Sequence, residues 1–136
     1  MIKKLMSFLI VFPLLTVTSV FADWTKFGET DSAVYYIDFN ETGSDDKYIY
    51  YWVLTNYFNP QKIELITDDY SSKKVYKQTD CKRFRTSAVQ IILYKKEMSE
   101  GEILINESYK ESSFTTPIFD SIGFEELEQI CSHIQK

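Results

Sequence analysis

The segment TDCKRFR contains the side chains best suited to chemistry in this chain, because it places Cys81 directly before Lys82 and Arg83. Arg85 follows two residues later. Neighbouring positive charges lower the pKa of a thiol, and the resulting thiolate is a nucleophile or a metal ligand. Such a cysteine usually also needs a positioned base, and the only histidine is His133, near the C-terminus. The missing base favours a structural role for Cys81.

The N-terminal segment is typical of a cleaved signal peptide. A short positive region precedes an apolar run over residues 5–15, and a small-x-small pattern ends at Ala22. The run is shorter than the roughly 20 residues that a membrane-spanning helix needs. We expect cleavage between Ala22 and Asp23, with residues 1–22 as the signal peptide and 23–136 as a single domain. A retained membrane anchor is the alternative; after cleavage, no transmembrane segment is expected.

Export changes the interpretation of the two cysteines. In an oxidising compartment, pairing of Cys81 with Cys131 is the default. A bridge over 50 residues would stabilise the fold by about 4 kcal/mol in a chain-entropy description. We therefore expect a Cys81–Cys131 disulfide, with a reactive Cys81 as the alternative.

The composition of the expected mature chain argues against nucleic acid as a partner. Without residues 1–22, 13 basic and 20 acidic residues remain, a net charge of −7. The acidic pairs at 45–46 and 68–69 are typical of solvated loops, and a lone His133 supports neither a zinc site nor a Ser-His pair. We expect a protein that is not an enzyme and holds no cofactor or metal.

A local cluster of positive charge contrasts with this acidic composition. Six basic residues fall within thirteen positions, with Asp80 as the one acidic residue among them: Lys73, Lys74, Lys77, Lys82, Arg83 and Arg85. This basic stretch is a candidate surface for an acidic protein partner. Two alternatives remain open, namely charged strands that discourage edge-to-edge aggregation and a contact between two copies of the chain.

The elements that must position these residues are mostly strands. Alternating or β-branched and aromatic patterns predict strands in DWTKFGET, AVYYIDF, YIYYWVLTN, KKVYKQTD, FRTSAVQIILYKKE and EILINES. Segment 48–56 is apolar on both faces and predicts a central strand that forms a hairpin with 33–39. Breakers at 59–60 and 68–69 predict a long connection over 57–72, with a short strand at 63–66.

The C-terminal segment DSIGFEELEQICSHIQK has a helical period instead. Its apolar residues are spaced three or four apart, and Asp120 or Ser121 can cap the start. Cys131 lies on the apolar stripe, so the helix would present it to the sheet, towards Cys81. The pattern predicts an α+β fold, an antiparallel sheet of about six strands with one C-terminal helix on one face, tied by a disulfide.

The abundant tyrosines and tryptophans allow two interpretations. The set comprises Tyr35, Tyr36, Tyr48, Tyr50, Tyr51 and Trp52. Such residues are frequent anchors of binding surfaces, so they could build a ligand groove. Alternatively they are the two packed faces of the central hairpin.

Five segments in this order resemble the surface-adhesin protein E family of exported bacterial domains: DWTKFGETDSAVYYIDF, YIYYWVLTNY, SSKKVYKQTDCKRFR, YKKEMSEGE and LEQIC. The resemblance extends from about Trp24 to Ile134. It implies a small antiparallel sheet whose concave face holds a C-terminal helix through Cys81 and Cys131, and it allows a homodimer formed through the sheet.

The resemblance also implies a function. Adhesins of the family bind host matrix and serum proteins at the bacterial surface. We therefore expect an exported binding module with a protein partner. This sequence lacks a lipid-anchor cysteine after its predicted signal, so the alternative is a soluble periplasmic interaction protein or inhibitor with the same fold and no adhesin role.

Overall fold

The computed structural model describes residues 23–134 together with Pro13. The predicted signal peptide and the cleavage after Ala22 therefore lie outside the described residues. Within residues 23–134, seven strands and one helix follow one another: β1 Trp24–Glu29, β2 Ala33–Asp38, β3 Gly43–Ser44, β4 Ile49–Lys62, β5 Asp69–Asp80, β6 Arg85–Tyr94, β7 Ile103–Ser108 and α1 Ile122–Ile134. In this part of the chain, no helix is long and apolar enough to cross a membrane.

The strands form one open antiparallel sheet. Its order is β1-β2-β4-β5-β6-β7, and the two-residue β3 pairs with the start of β4. The long strands therefore form a meander, with β4 and β5 at its centre and β1 and β7 at its edges. This confirms the predicted antiparallel sheet and hairpin, and β3 raises the number of strands from about six to seven.

The predicted irregular connection over residues 57–72 is wrong. β4 continues through this region to Lys62, and residues 63–66 form part of a turn where a short strand was predicted. Pro60 is tolerated because it lies where the register between β4 and β5 shifts, so its missing N–H interrupts no regular pairing. On the other side, Tyr57 pairs with Ala33 of β2 and keeps the strand extended.

Ser121 is the cap of α1. Its Oγ accepts a hydrogen bond from the backbone N–H of Phe124 at 3.2 Å and donates to the carbonyl of Ile118 at 2.6 Å. The other predicted cap, Asp120, adopts a left-handed φ of 62° and turns the chain into the helix. Glu125 in the first turn and His133 in the last complement the helix dipole.

The helix covers one face of the sheet and forms the core with it. Ile37 of β2 and Tyr51 and Val53 of β4 are buried against Ile130 of α1. The helix also lies against β1, where a side chain on Gly28 would overlap Ile122. A glycine at this position allows the start of the helix to approach the edge of the sheet closely.

A disulfide joins Cys81 and Cys131, as expected, with their Cα atoms 5.7 Å apart. Cys81 lies in the turn between β5 and β6, and Cys131 lies near the end of α1. The bridge therefore fastens the C-terminal part of the helix to the turn at the end of β5 and β6. Because its sulfur is bonded, Cys81 is not the reactive thiol that its basic neighbours could also have indicated.

Candidate binding surface

The face of the sheet opposite α1 bears a row of aromatic side chains. Successive residues of a strand point to opposite faces, so Tyr50 and Trp52 lie opposite Tyr51 and Val53, which face the helix. Lys74 and Tyr76 of β5 are the cross-strand partners of Leu54 and Trp52 on the same side. Together with Trp24 of β1, we call this set the aromatic face: Trp24, Tyr50, Trp52, Lys74 and Tyr76.

The rings of the aromatic face contact one another across the strands. The centroids of Trp52 and Tyr76 are 4.9 Å apart, and Tyr76 stacks on Tyr50 at 6.1 Å. Lys74 Nζ lies 4.5 Å from the centroid of Trp52 and 5.8 Å from that of Trp24. Each of these side chains is partly exposed. The result is a continuous, solvent-accessible strip of π surface with one cation in it.

Burial shifts the protonation equilibria on this strip. Partial burial lowers the pKa of Lys74, and the nearby carboxylates of Glu41 and Asp38 oppose this effect. Burial, followed by the proximity of Tyr50, raises the pKa of Tyr76, so this phenol remains a neutral hydrogen-bond donor in the physiological range.

The packing beneath the strip is tight. Leu54 lies on this face between its cross-strand neighbours Tyr36 and Lys74, and it is fully buried although the helix is on the other side. The overlying side chains exclude water from Leu54 and contact one another. Side chains that already contact one another have less conformational freedom to lose when a partner binds.

The basic stretch does not form a single patch. Lys74 belongs to the aromatic face, whereas Lys77 points towards the helix and Lys73 lies 5.9 Å from the ring of Tyr57. Lys82 is exposed in the β5–β6 turn. The six residues thus lie on both faces of the sheet and in a turn.

Two members of the basic stretch are bound to Asp80. The guanidinium groups of Arg83 and Arg85 both lie 3.3 Å from its Oδ2, and the backbone N–H of Arg83 donates to Oδ1 at 3.2 Å. Burial of Asp80 raises its pKa, but the hydrogen bonds from Arg83 and Arg85 outweigh burial and lower the pKa overall. These arginines therefore stabilise the turn that carries Cys81.

Arg85, the first residue of β6, adds further aromatic contacts beside the aromatic face. Its guanidinium carbon lies 4.5 Å from the centroid of Phe114, whose ring stacks on Tyr48 at 5.4 Å. Phe114 belongs to the loop after β7, which pairs with β6 through a bridge between Thr115 and Thr86. This loop therefore lies at the end of the strip next to Tyr48.

A buried polar cluster between sheet and helix was not predicted. Lys77 Nζ lies 2.8 Å from the carboxylate of Glu126, which also accepts a hydrogen bond of 2.9 Å from the hydroxyl of Tyr51. Because the carboxylate only accepts, the Tyr51 oxygen is free to accept from Thr79 at 2.8 Å. Burial, and then the charge of Glu126, raise the pKa of Tyr51 well above its usual value.

One sequence signal could have identified Glu126. It precedes Ile130 by four residues, so it lies on the helical face that packs against the sheet. The pairing of Lys77 with Glu126 was not predictable from the sequence. It depends on the register between β4 and β5, which places Lys77 opposite Tyr51.

The predicted aromatic set divides between the two interpretations. Tyr51 is fully buried in the core, and Tyr35 lies on the helix side, where its ring is 6.1 Å from that of Phe27. Tyr50 and Trp52 belong to the aromatic face, which Tyr36 and Tyr48 adjoin. For metal chemistry, residues 23–134 contain no group of three or more histidine, cysteine, aspartate or glutamate side chains able to hold an ion.

Comparisons with known proteins agree with this architecture. The model of the family described as Surface-adhesin protein E matches residues 24–132. Three solved structures with a similar fold are those of Haemophilus influenzae protein E, its crystal form II, and protein E from non-typeable Haemophilus influenzae.

The first is 16% identical with a TM-score of 0.60, covering 85% of this chain and 88% of that chain. The second is 15% identical with a TM-score of 0.59, covering 81% and 94%. The third is 16% identical with a TM-score of 0.58, covering 85% and 79%. At these identities the structures establish a shared fold.

No curated protein matched the chain. The family assignment therefore rests on the match over residues 24–132, and the sheet, helix and disulfide described above agree with the architecture that the sequence resemblance implies. By this match, the chain belongs to the Surface-adhesin protein E family.

Proposed function

We propose that this protein is an exported adhesin-like module that binds a host matrix or serum protein through its aromatic face. The observation that carries the proposal is the strip of Trp24, Trp52 and Tyr76 with Lys74 among the rings, on the side of the sheet that the helix leaves free. Membership of an adhesin family supports the function class.

The composition of the aromatic face suits a protein partner. Tyrosine and tryptophan bury a large area for little lost conformational freedom and dominate the energetics of many interfaces. Lys74 adds a partly desolvated cation that can pair with a carboxylate of the partner, since Trp52 and Trp24 contact it through their π faces and leave its ammonium group with hydrogens to donate.

A binding measurement with matched tyrosine variants tests the assignment. A panel of purified extracellular-matrix and serum proteins is immobilised, and binding of the mature domain is compared with that of Tyr76→Thr. Loss of a central aromatic anchor should weaken binding by more than about tenfold. Tyr109→Thr removes an exposed tyrosine outside the aromatic face and should bind like the wild type. Equal affinity of all three proteins would contradict the proposal.

The location of the protein is tested separately. On intact cells, external protease should degrade an adhesin, whereas a periplasmic protein is degraded only after the outer membrane is permeabilised. Protection on intact cells would exclude an adhesin role and favour the soluble periplasmic interaction protein or inhibitor with the same fold.

A further inference from the structure

A cleft of about 460 Å³ lies at the start of α1, away from the aromatic face. One wall is the end of β1, including Gly28 and Glu29, and the other is the first turns of the helix, including Phe124 and Glu128. The volume lies within the range of ligand-binding clefts. The proposed function does not involve this cleft.

The rim of the cleft is apolar and strongly exposed. Ile118 is 80% exposed and Phe119 is 79% exposed. Phe119 packs edge-on against Phe124, with ring centroids 5.1 Å apart, and the left-handed conformation of Asp120 fixes the turn that follows. The loop therefore presents two large apolar side chains to solvent beside the cleft, which is unusual for a surface without a partner.

The lining of the cleft is acidic. Glu29, Asp120, Glu125 and Glu128 contribute four carboxylates, and none of the lining residues is basic. Two of these carboxylates have neighbours that partly satisfy them, Lys26 at 3.3 Å from Glu29 and Gln129 at 3.0 Å from Glu125.

We propose that this cleft binds a basic segment of another protein, with a lysine or arginine side chain in the cleft and a neighbouring apolar side chain against Ile118 and Phe119. The acidic lining matches the cation, and the exposed rim matches the apolar residue. Both parts of the match are needed, because an exposed ion pair alone contributes little to affinity.

The charge of the site decides between classes of partner. The backbone N–H groups at a helix start attract anions, but here four carboxylates surround them and reverse the preference. An anionic lipid surface would be repelled by the same groups. The basic turn that contains Lys82 is not part of the lining of the cleft. It is separated from the cleft by Phe84 and Phe124, whose ring centroids are 5.0 Å apart.

A labelled peptide of alternating lysine and leucine is the probe. It should bind the mature, disulfide-linked domain measurably, and binding should weaken as salt is raised. A matched peptide of alternating glutamate and leucine should not bind, and one of alternating lysine and serine should bind at least about tenfold more weakly than the lysine–leucine peptide, because it lacks the apolar contact.

Variants locate the probe on the protein. Glu125→Gln with Glu128→Gln should reduce the affinity for the lysine–leucine peptide about tenfold, and Phe119→Ser should do the same without a change in salt dependence. The control, Glu97→Gln with Glu100→Gln, makes the same change of charge in the β6–β7 turn and should have little effect. All substituted side chains are partly or fully exposed, so the variants should remain folded. Melting curves check that unfolding does not cause the loss of binding.

Three outcomes would overturn the proposal. Equal losses in the cleft and control variants would mean that only the net charge attracts the peptide. Binding to anionic or zwitterionic vesicles that Phe119→Ser abolishes would assign the rim to a membrane. Concentration-dependent self-association that Phe119→Ser abolishes would assign it to a second copy. Tyr76→Thr should leave peptide binding unchanged, because Tyr76 is not in the lining of the cleft. The proposal for the cleft can therefore be refuted while the proposal for the aromatic face is supported.

Discussion

At the scale of single residues, two charged groups hold this small domain together. Glu126 joins the helix to Lys77 and Tyr51, and Asp80 joins Arg83 and Arg85 to the turn that carries Cys81. Both carboxylates are buried, so their partners compensate the cost of removing them from water. The basic stretch thereby gains a structural explanation for three of its six members.

We expect the stabilisation by Asp80 to be lost in acid. The pKa of Asp80 is lower in the folded protein than in the unfolded chain. Its hydrogen bonds therefore stabilise the fold fully when the pH is above the unfolded pKa of about 3.9, and this stabilisation is lost as the pH falls through the folded pKa. Asp80→Asn should therefore be less stable than the wild type near pH 7, and the difference should shrink towards about pH 2. Urea unfolding at both pH values measures this.

The control for this experiment is Asp68→Asn. Asp68 forms an exposed pair with Lys95 at 3.6 Å, which should contribute little at any pH. A difference between wild type and Asp80→Asn that is the same at both pH values would contradict the role assigned to the Asp80 carboxylate.

At the scale of elements, the start of α1 depends on a missing side chain. Gly28 lies in β1 directly beneath Ile122, and a Cβ at this position would overlap the Cδ1 atom of Ile122. The Ile122 side chain occupies its place beside the edge strand because this space is left free. Its other end is fixed by the bridge from Cys131 to Cys81.

Gly28→Ala should destabilise the protein by about 1 kcal/mol, because the Ile122 side chain must leave its present rotamer to make room for the added carbon. Ile122→Val removes the overlapping Cδ1 atom, so the double variant should recover most of the loss relative to Ile122→Val alone. Thermal or urea unfolding gives all four free energies. Gly43→Ala, with nothing within 4 Å of the added carbon, should be close to neutral. Additive effects of Gly28→Ala and Ile122→Val would show that the two residues do not interact as described.

The elements were predictable where side-chain periodicity is strong. The helix, its apolar stripe and its cysteine follow from spacing alone, as do the strands around residues 33–39 and 48–56. The extension of β4 through Pro60 was not predictable, because it depends on Tyr57 pairing with β2 and on a shift in register opposite β5. Local propensity contains neither piece of information.

The candidate surfaces were predictable only in part. The sequence identified Lys74, Tyr50 and Trp52 as contact candidates but did not separate them from Lys77 and Tyr51, because the face to which each side chain points requires the position of the helix. The acidic cleft joins Glu29 to Glu125 and Glu128, nearly a hundred residues apart in the chain. Only the tertiary packing of α1 on β1 brings them together.

At the scale of the whole molecule, residues 23–134 combine a sheet, one helix and a bridge whose cysteines are 50 residues apart. If residues 1–22 are removed on export, the mass of the mature protein should equal that of residues 23–136 minus two hydrogens. Intact mass spectrometry without reductant checks cleavage and pairing together. Cys81→Ser with Cys131→Ser should lose the two-hydrogen difference and about 4 kcal/mol of stability. The full-length mass, or two free thiols in the wild type, would contradict this prediction.

The order of the strands has a consequence for how the protein folds. Every long strand pairs with the long strand that precedes it, so each strand can join the sheet next to a neighbour that is close in sequence. The helix follows all the strands in the described residues, and its Ile130 packs against Ile37 and Val53. Until Ile130 and Cys131 reach the sheet, a partly folded chain exposes the apolar face that holds Ile37 and Val53. The docking of the C-terminal helix is therefore the step that ends the exposure of this surface to aggregation.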